Sequence, residues 1–298
     1  MARDLIFVFF GGNMSGIFGA GAATALQELD LYRNIDSIYG ISAGAHNAAY
    51  FLAEETSLGS SIYYQELINN SFIKEKKIKF LSKLILRMFN KNVKLEKLID
   101  MDYLINIEKH QKRLKVEKIS RSPIKFFIRV FDVAEKKEEY LDGQSDIFKK
   151  LLASSAIIPL YPNLIKINNK FYSDSMILSR IIDDRLAKMI RDNQDKKIFF
   201  IFNEKVKNGL TVKKFLFNFF WIILLTIYFK KIFILKKINI LAEYRKLAKY
   251  WRLPNITIIE PDINFPASCT NRDKLLELYA NGITETKRAI KASGLTPN

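Results

Sequence analysis

The chain opens with two strand–turn–helix units in succession. An apolar run, Leu5–Phe10, leads into Gly11-Gly12 and a helix of small residues from about Ile17 to Leu29. A second apolar stretch, Ile35–Tyr39, is followed by Gly40 and another helix. Strands that alternate with helices form a mainly parallel sheet with helices on its faces. We therefore predict an α/β fold in three layers, α/β/α.

The later elements continue this alternation. Strands are predicted at Ile124–Val133, Glu138–Leu141, Leu164–Ile167, Lys170–Ser173, Lys197–Phe202 and Ile256–Glu260, and helices at about 147–153 and at Arg272–Ala292. Asn168-Asn169 is a two-residue hairpin turn, because Asn tolerates positive φ, and Ser145 or Asp146 is the N-cap of the shorter helix. No linker divides the chain, so we expect residues 1–190 to be the core that carries the site and residues 191–298 to complete the same domain.

Net charge and cysteine content indicate which binding partners and cofactors to expect. The net charge of +17 would attract a polyanion, either an anionic lipid surface or a nucleic acid, although an A/T-rich coding sequence would produce the same lysine content. No nucleic acid is expected, because no recognition motif accompanies the charge. The single cysteine, Cys269, excludes an intramolecular disulfide, and no Cys/His cluster has zinc spacing, so neither a metal nor a cofactor is expected.

Two segments have the pattern of membrane-surface helices. Lys76–Phe89 is a basic amphipathic helix, which we interpret as a surface helix packed on the core with a solvated lysine face, with membrane contact as the alternative. An apolar helical segment at about 212–237 contains the run Phe215–Phe229, with lysines on both sides. This run is short for a transmembrane helix, so we predict an interfacial helix, with burial in the core or a single membrane-inserted segment near 215–235 as alternatives. Leu5–Phe10 is too short for a signal peptide, which predicts a cytoplasmic, peripherally membrane-associated protein.

Gly40-Ile41-Ser42-Ala43-Gly44 has the G-x-S-x-G pattern between a predicted strand and a predicted helix. This context is that of a nucleophile elbow, in which flanking glycines relieve the crowding around a serine in a strained turn. A structural Gly/Ser turn is the alternative. Ser42 is the candidate nucleophile.

The base of this nucleophile is predicted by elimination. A Ser-His-Asp triad in the usual order needs a histidine late in the chain, but the only histidines are His46 and His110. His46 lies one helical turn after Ser42, and we interpret it as a helix-surface or capping residue. A carboxylate must then accept the proton, and Asp174, directly after the strand Lys170–Ser173, is the best placed. Asp142 and Asp146 are weaker candidates, because they have the pattern of turn and cap residues.

A glycine-rich loop follows the first strand. Gly11, Gly12 and Asn13 precede the first helix, so their backbone N–H groups can stabilise an oxyanion. The spacing is neither that of a dinucleotide-binding loop nor that of a P-loop.

Together these motifs resemble the patatin-like phospholipases, in a bacterial branch. The resemblance rests on Gly11–Gly16, on Gly40–Ala48, on Ala153–Pro159 and on Asp174, in that order. It implies a Ser42–Asp174 dyad that hydrolyses lipid esters through an acyl-enzyme, without a cofactor. The sequence departs from the family pattern at Asn13 and Ser175, where glycines are usual, and at Ser15, where a basic residue is usual.

Two functions therefore stand side by side. The first is a lipid acyl hydrolase that acts at an anionic membrane surface through its basic and aromatic helices. The alternative, suggested by the three departures, is a membrane-binding protein of the same fold with weak or lost hydrolase activity.

Overall fold

The computed structural model describes residues 3–69, 72–73, 82–83, 86, 93, 95–175, 181–206 and 247–295. The strands are β1 (Leu5–Phe9), β2 (Ile35–Ile41), β3 (Lys125–Asp132), β4 (Lys137–Asp142), β5 (Ile165–Ile167), β6 (Lys170–Ser173), β7 (Lys197–Ile201) and β8 (Ile256–Ile259). The α-helices are α1 (Ile17–Glu28), α2 (Ala43–Leu52), α3 (Thr56–Ser61), α4 (Met101–Asn106), α5 (Val116–Arg121), α6 (Ile147–Ser155), α7 (Asp184–Asp192) and α8 (Arg272–Ala292). Short 3-10 helices span Asn13–Gly16 and Leu31–Asn34, and π-helical turns span Ile62–Glu66 and Ile107–Gln111.

The strands form one mixed sheet with the order β5-β6-β3-β2-β1-β7-β8, and β4 also pairs with β3. Strands β3, β2, β1, β7 and β8 run parallel to one another. Strands β4 and β6 pair antiparallel with β3, and β5 pairs antiparallel with β6. The predicted α/β fold is confirmed. Because β1 and β2 are central, the turns that follow them lie at the middle of one edge of the sheet, where ligands bind in open α/β sheets.

The pleat of β1 separates two layers of core. Leu5, Phe7 and Phe9 face a cluster that includes residues of α1, α2 and α8, while Ile6 and Val8 face a cluster that includes residues of α7. Side chains that alternate between the faces of a strand explain why this run is apolar throughout. Helices therefore cover both faces of the sheet, which is the predicted three-layer arrangement.

Local predictions were mostly accurate within one or two residues. Asn168 and Asn169 have φ of 45° and 65°, as the predicted hairpin turn requires. The N-cap prediction was wrong in its chemistry: Asp146 precedes α6, but its side chain makes no capping hydrogen bond, and its own backbone is left-handed. The cap-forming geometry needs an extended backbone at this position.

Three predictions remain open. The Phe215–Phe229 segment lies outside the described residues, and of Lys76–Phe89 only residues 82, 83 and 86 are described. The division at residue 190 also stays a prediction.

Candidate active site

Ser42 occupies the sharp turn between β2 and α2. Its backbone has φ 52° and ψ −128°, a conformation that non-glycine residues rarely adopt. The turn depends on Gly44, where a Cβ atom would lie 2.2 Å from the carbonyl oxygen of Phe9. The G-x-S-x-G pattern therefore lies in the strained strand–turn–helix context in which a serine hydroxyl is presented as a nucleophile.

Hydrogen bonds through Ser154 join the elbow to β3. The amide of Ser42 donates to Ser154 Oγ at 2.9 Å, and Ser154 Oγ donates to the carbonyl oxygen of Arg129 at 2.7 Å. Ser154 is fully buried, so this relay is shielded from water. The hydroxyl of Ser42 takes no part in these two hydrogen bonds.

Asp174 directly follows β6 and is almost fully buried. Its amide donates to the carbonyl oxygen of Ala156 at 3.1 Å, which fixes the start of the segment after the strand. Asp174 and Ser42 line the same cavity, although no direct hydrogen bond joins them among the contacts of the described residues. Hydrogen bonds between a nucleophile and its base often become short only when substrate is bound.

The glycine-rich loop lies against the elbow. A Cβ atom at Gly11 would be 2.8 Å from Ser42 Cβ, so only glycine permits this approach. The amide of Met14 donates to Ala267 and that of Ser15 to Gly12, whereas the amides of Gly11, Gly12 and Asn13 have no acceptor within the described part of the chain. These three residues line the same cavity as Ser42, and their N–H groups can donate to an oxyanion.

Ser15 stabilises this loop from within. Its hydroxyl donates to the carbonyl oxygen of Gly12 at 2.7 Å, and the side chain is buried. The position that is usually basic in the family therefore holds a hydrogen bond within the loop.

Asn203 anchors the glycine-rich loop, and sequence analysis missed it. Its Oδ1 accepts from the amide of Gly19 at 2.8 Å, while its Nδ2 donates to the carbonyl oxygens of Phe10 and Gly11 at 2.5 and 3.2 Å. It lies just after β7, so a polar residue at the carboxyl end of a strand next to β1 was the available signal.

Asn47 on α2 is a second missed anchor. Its Nδ2 donates to the carbonyl oxygen of Gly16 at 2.7 Å, and its Oδ1 accepts from the hydroxyl of Tyr63 at 3.1 Å. Burial raises the pKa of Tyr63 well above its ordinary value, so the hydroxyl stays protonated and acts as the donor. The helix that begins at the elbow thus also fixes the loop.

A cavity of about 370 Å³ opens beside these groups. Ser42, Asp174 and the glycine-rich loop are part of its lining. The side chains that make the lining mostly apolar are Ile62, Tyr63, Leu67, Phe72, Ile99, Met101, Leu104, Ile157, Leu160 and Phe265. An apolar chain attached to a carbonyl fits this lining, because the carbonyl can meet the polar groups while the chain leaves water.

The interpretation of His46 as a surface or capping residue was wrong. His46 is 5% exposed, its Nδ1 lies 2.6 Å from Glu108 Oε1, and its Nε2 lies 3.2 Å from Ser155 Oγ. Ser155 Oγ donates to the carbonyl oxygen of Leu151, so it accepts from Nε2–H of His46. Glu108 comes from the π-helical turn at 107–111, far away in sequence, and helical spacing alone could not reveal this partner.

Breaking this pair should cost considerable stability. Glu108→Leu leaves Nδ1 of His46 buried without its hydrogen-bond partner, so the free energy of unfolding in urea should fall by about 1–3 kcal/mol. Glu28→Leu, which removes an exposed ion pair to Lys287, should cost at most about 1 kcal/mol. Replacing both His46 and Glu108 by leucine should restore most of the loss. Equal stability of Glu108→Leu and Glu28→Leu would show that the pair is not structural.

Metal and membrane features were searched within the described residues. There, His, Cys, Asp and Glu side chains do not come together in groups of three that could hold a metal ion. In the same part of the chain, every helix is too short or too polar to cross a membrane.

Comparison with known proteins agrees with the fold. A model of the patatin-like phospholipase family matches residues 7–183. No curated protein sequence matches the chain significantly. The structure is similar to VipD from Legionella pneumophila, with a TM-score of 0.50 and 12% identity over 98% of this chain and 67% of that one. ExoU in complex with SpcU, from the type III secretion system of Pseudomonas aeruginosa, gives a TM-score of 0.45 and 12% identity over 98% of this chain and 52% of that one.

At this level of identity the likeness to VipD concerns the fold alone, and the chain spans about half the length of ExoU. The family match is more specific, and it agrees with the resemblance that the motifs predicted. Because it covers more than half of the chain, the protein belongs to the patatin-like phospholipases.

Proposed function

We propose that this protein hydrolyses carboxylic esters of membrane lipids, with Ser42 as nucleophile and Asp174 as its base. The observation that carries the proposal is the composition of one cavity. Ser42, Asp174 and the glycine-rich loop line one cavity whose other lining residues are mostly apolar. Membership in the patatin-like phospholipases supports the same function.

Acylation begins with attack of Ser42 Oγ on the ester carbonyl carbon. Asp174 accepts the hydroxyl proton, and the carbonyl oxygen gains the negative charge. Amides of Gly11, Gly12 and Asn13 donate to this oxygen, and each such donor contributes about 10²–10³-fold in related hydrolases. Collapse of the tetrahedral intermediate breaks the ester bond, and the leaving alcohol takes the proton from Asp174.

Deacylation repeats the cycle with water. Asp174 accepts a proton from the water molecule while the water oxygen attacks the acyl-enzyme carbonyl. The amides of the glycine-rich loop again donate to the negatively charged carbonyl oxygen. When the bond to Ser42 Oγ breaks, the proton passes from Asp174 to that oxygen. A fatty acid leaves and the free serine is restored, so the reaction needs no metal or cofactor.

The charge balance supports a membrane surface as the place of reaction. A net charge of +17 favours association with anionic lipids, and an ester in such a surface can place its acyl chain in the apolar cavity. The basic segment 76–89 and the apolar segment 215–229 are the proposed contacts with the membrane.

Fatty-acid release from vesicles tests this function. We expect the protein to release fatty acid and lysophospholipid in equal amounts, faster from vesicles with anionic phospholipid than from zwitterionic ones, and less so at high salt because added ions screen the attraction. Pretreatment with a serine-reactive fluorophosphonate should stop the release. Binding to anionic vesicles without any release would instead favour the membrane-binding protein that has lost its chemistry.

A further inference from the structure

Arg129 on β3 is the largest fully buried side chain of the described core. Burying a guanidinium is costly unless charged and polar partners surround it. Its Nε donates to Ser175 Oγ at 2.8 Å, and its Nη1 lies 3.3 Å from the carbonyl oxygen of Ile181 and 3.2 Å from Asp183 Oδ2. Ser175 directly follows Asp174, and Ile181 and Asp183 come later in the same segment. One guanidinium therefore ties both ends of the segment that starts at the proposed base.

The far end of this segment is fixed by additional hydrogen bonds. Asp183 Oδ1 accepts from the amides of Arg185 and Leu186 and so caps α7. Tyr140 OH donates to Asp183 Oδ2 at 2.5 Å. Burial raises the pKa of Tyr140 well above its ordinary value, so the hydroxyl keeps its proton. The Asp183 end is thus secured without Ser175, whereas Ser175 joins the residue after Asp174 to Arg129.

The backbone of Arg129 serves the other half of the proposed dyad. Its carbonyl oxygen accepts from Ser154 Oγ, which in turn accepts from the amide of Ser42. The sheet register explains this double role. Arg129 lies beside Ile41, the last residue of β2 before Ser42. Strand β4 pairs along the other edge of β3, so Phe131 pairs antiparallel with Ser173 on the same edge as Ile41. The strand ends that precede Ser42 and Asp174 therefore meet β3 two residues apart, on either side of Val130.

We propose that Arg129 is a positioning residue that sets the separation of Ser42 and Asp174, acting on the first through Ser154 and on the second through Ser175. The inference rests on the proposed function. It also gives Ser175 a role. Where glycine is usual after the aspartate, this chain has a hydroxyl that accepts a hydrogen bond from the Arg129 guanidinium. A misplacement of reacting groups by about 1 Å can cost about 10²-fold in rate, so an anchor of this kind affects kcat.

Ser175→Ala tests the inference, because it removes the contact at the Asp174 end and leaves the ion pair between Arg129 and Asp183. We expect kcat for vesicle phospholipid to fall by about 10-fold or more with KM within about twofold. Tyr32→Phe is the matched control, since it removes the hydrogen bond between the Tyr32 hydroxyl and Ser122 Oγ, which does not involve Arg129. It should lower the urea midpoint by at least as much as Ser175→Ala while keeping kcat within about twofold of wild type.

A double-mutant cycle adds a second readout that general destabilisation would not produce. Ser154→Ala and Ser175→Ala should each lower kcat, and the combined loss should be smaller than the product of the two, because both act through one anchor. An unchanged kcat in Ser175→Ala, or losses in Ser175→Ala and Tyr32→Phe that follow stability alone, would overturn the inference. In that case an active wild type and an inactive Ser42→Ala would leave the proposed function standing. An inactive wild type would refute both.

Discussion

Ser42→Ala is expected to lower fatty-acid release from phospholipid vesicles by about 10⁴-fold or more. Loss of the nucleophile removes the acyl-enzyme route, and serine hydrolases that lose this residue retain only the catalysis due to their oxyanion donors and substrate binding. The fold should be unaffected, because the hydrogen bond from residue 42 to Ser154 comes from the backbone. Release is measured by mass spectrometry of the fatty acids.

Ser120→Ala is the matched control for this variant. Ser120 is exposed on α5 and its hydroxyl donates only locally, to the carbonyl oxygen of Glu117. Its replacement should leave release at the wild-type level. Ser42→Ala and Ser120→Ala with comparable activity would exclude Ser42 as the nucleophile.

Asp174→Asn should lower kcat by about 10²–10⁴-fold, the range that general-base catalysis supplies. Asparagine has nearly the same shape, and the backbone hydrogen bond to Ala156 remains, so the change removes basicity and leaves packing intact. The measurement is steady-state hydrolysis of a short-chain ester and of vesicle phospholipid, with KM expected to change little.

Asp142→Asn serves as the control for the base. Asp142 ends β4, and its Oδ1 accepts from the amide of Gln144 in a turn, as the sequence predicted. We expect no change in kcat. If Asp174→Asn were as active as Asp142→Asn, the proton of Ser42 would have to be accepted by another group.

The parts of the fold and site that could be predicted from sequence are local. The strand–turn–helix order around Ser42 follows from an apolar run, closely spaced glycines and small helix residues within a short stretch. The hairpin at Asn168-Asn169 and the position of Asp174 after β6 have the same local origin. The absence of a usable histidine then pointed to a carboxylate, since the alternatives were few.

The residues that sequence analysis missed depend on distant partners. Asn203 contacts Gly19 across 184 positions, and His46 meets Glu108 across 62. Polar side chains such as these look like surface residues in a helical or strand pattern until the tertiary structure supplies their hydrogen bonds. Arg129 is the clearest case, because within a strand pattern nothing marks a buried arginine that contacts both ends of one segment.

The most direct test of the central claim is the site of covalent reaction with a fluorophosphonate, located by peptide-resolved mass spectrometry of the wild-type protein. The reagent reacts with a serine whose proton is accepted by a base beside an oxyanion site, and so reports the elbow, Asp174 and the glycine-rich loop together. The account predicts one modified residue, Ser42, with labelling much slower in Asp174→Asn. Labelling of another residue, or none while vesicle phospholipid is being hydrolysed, would contradict it.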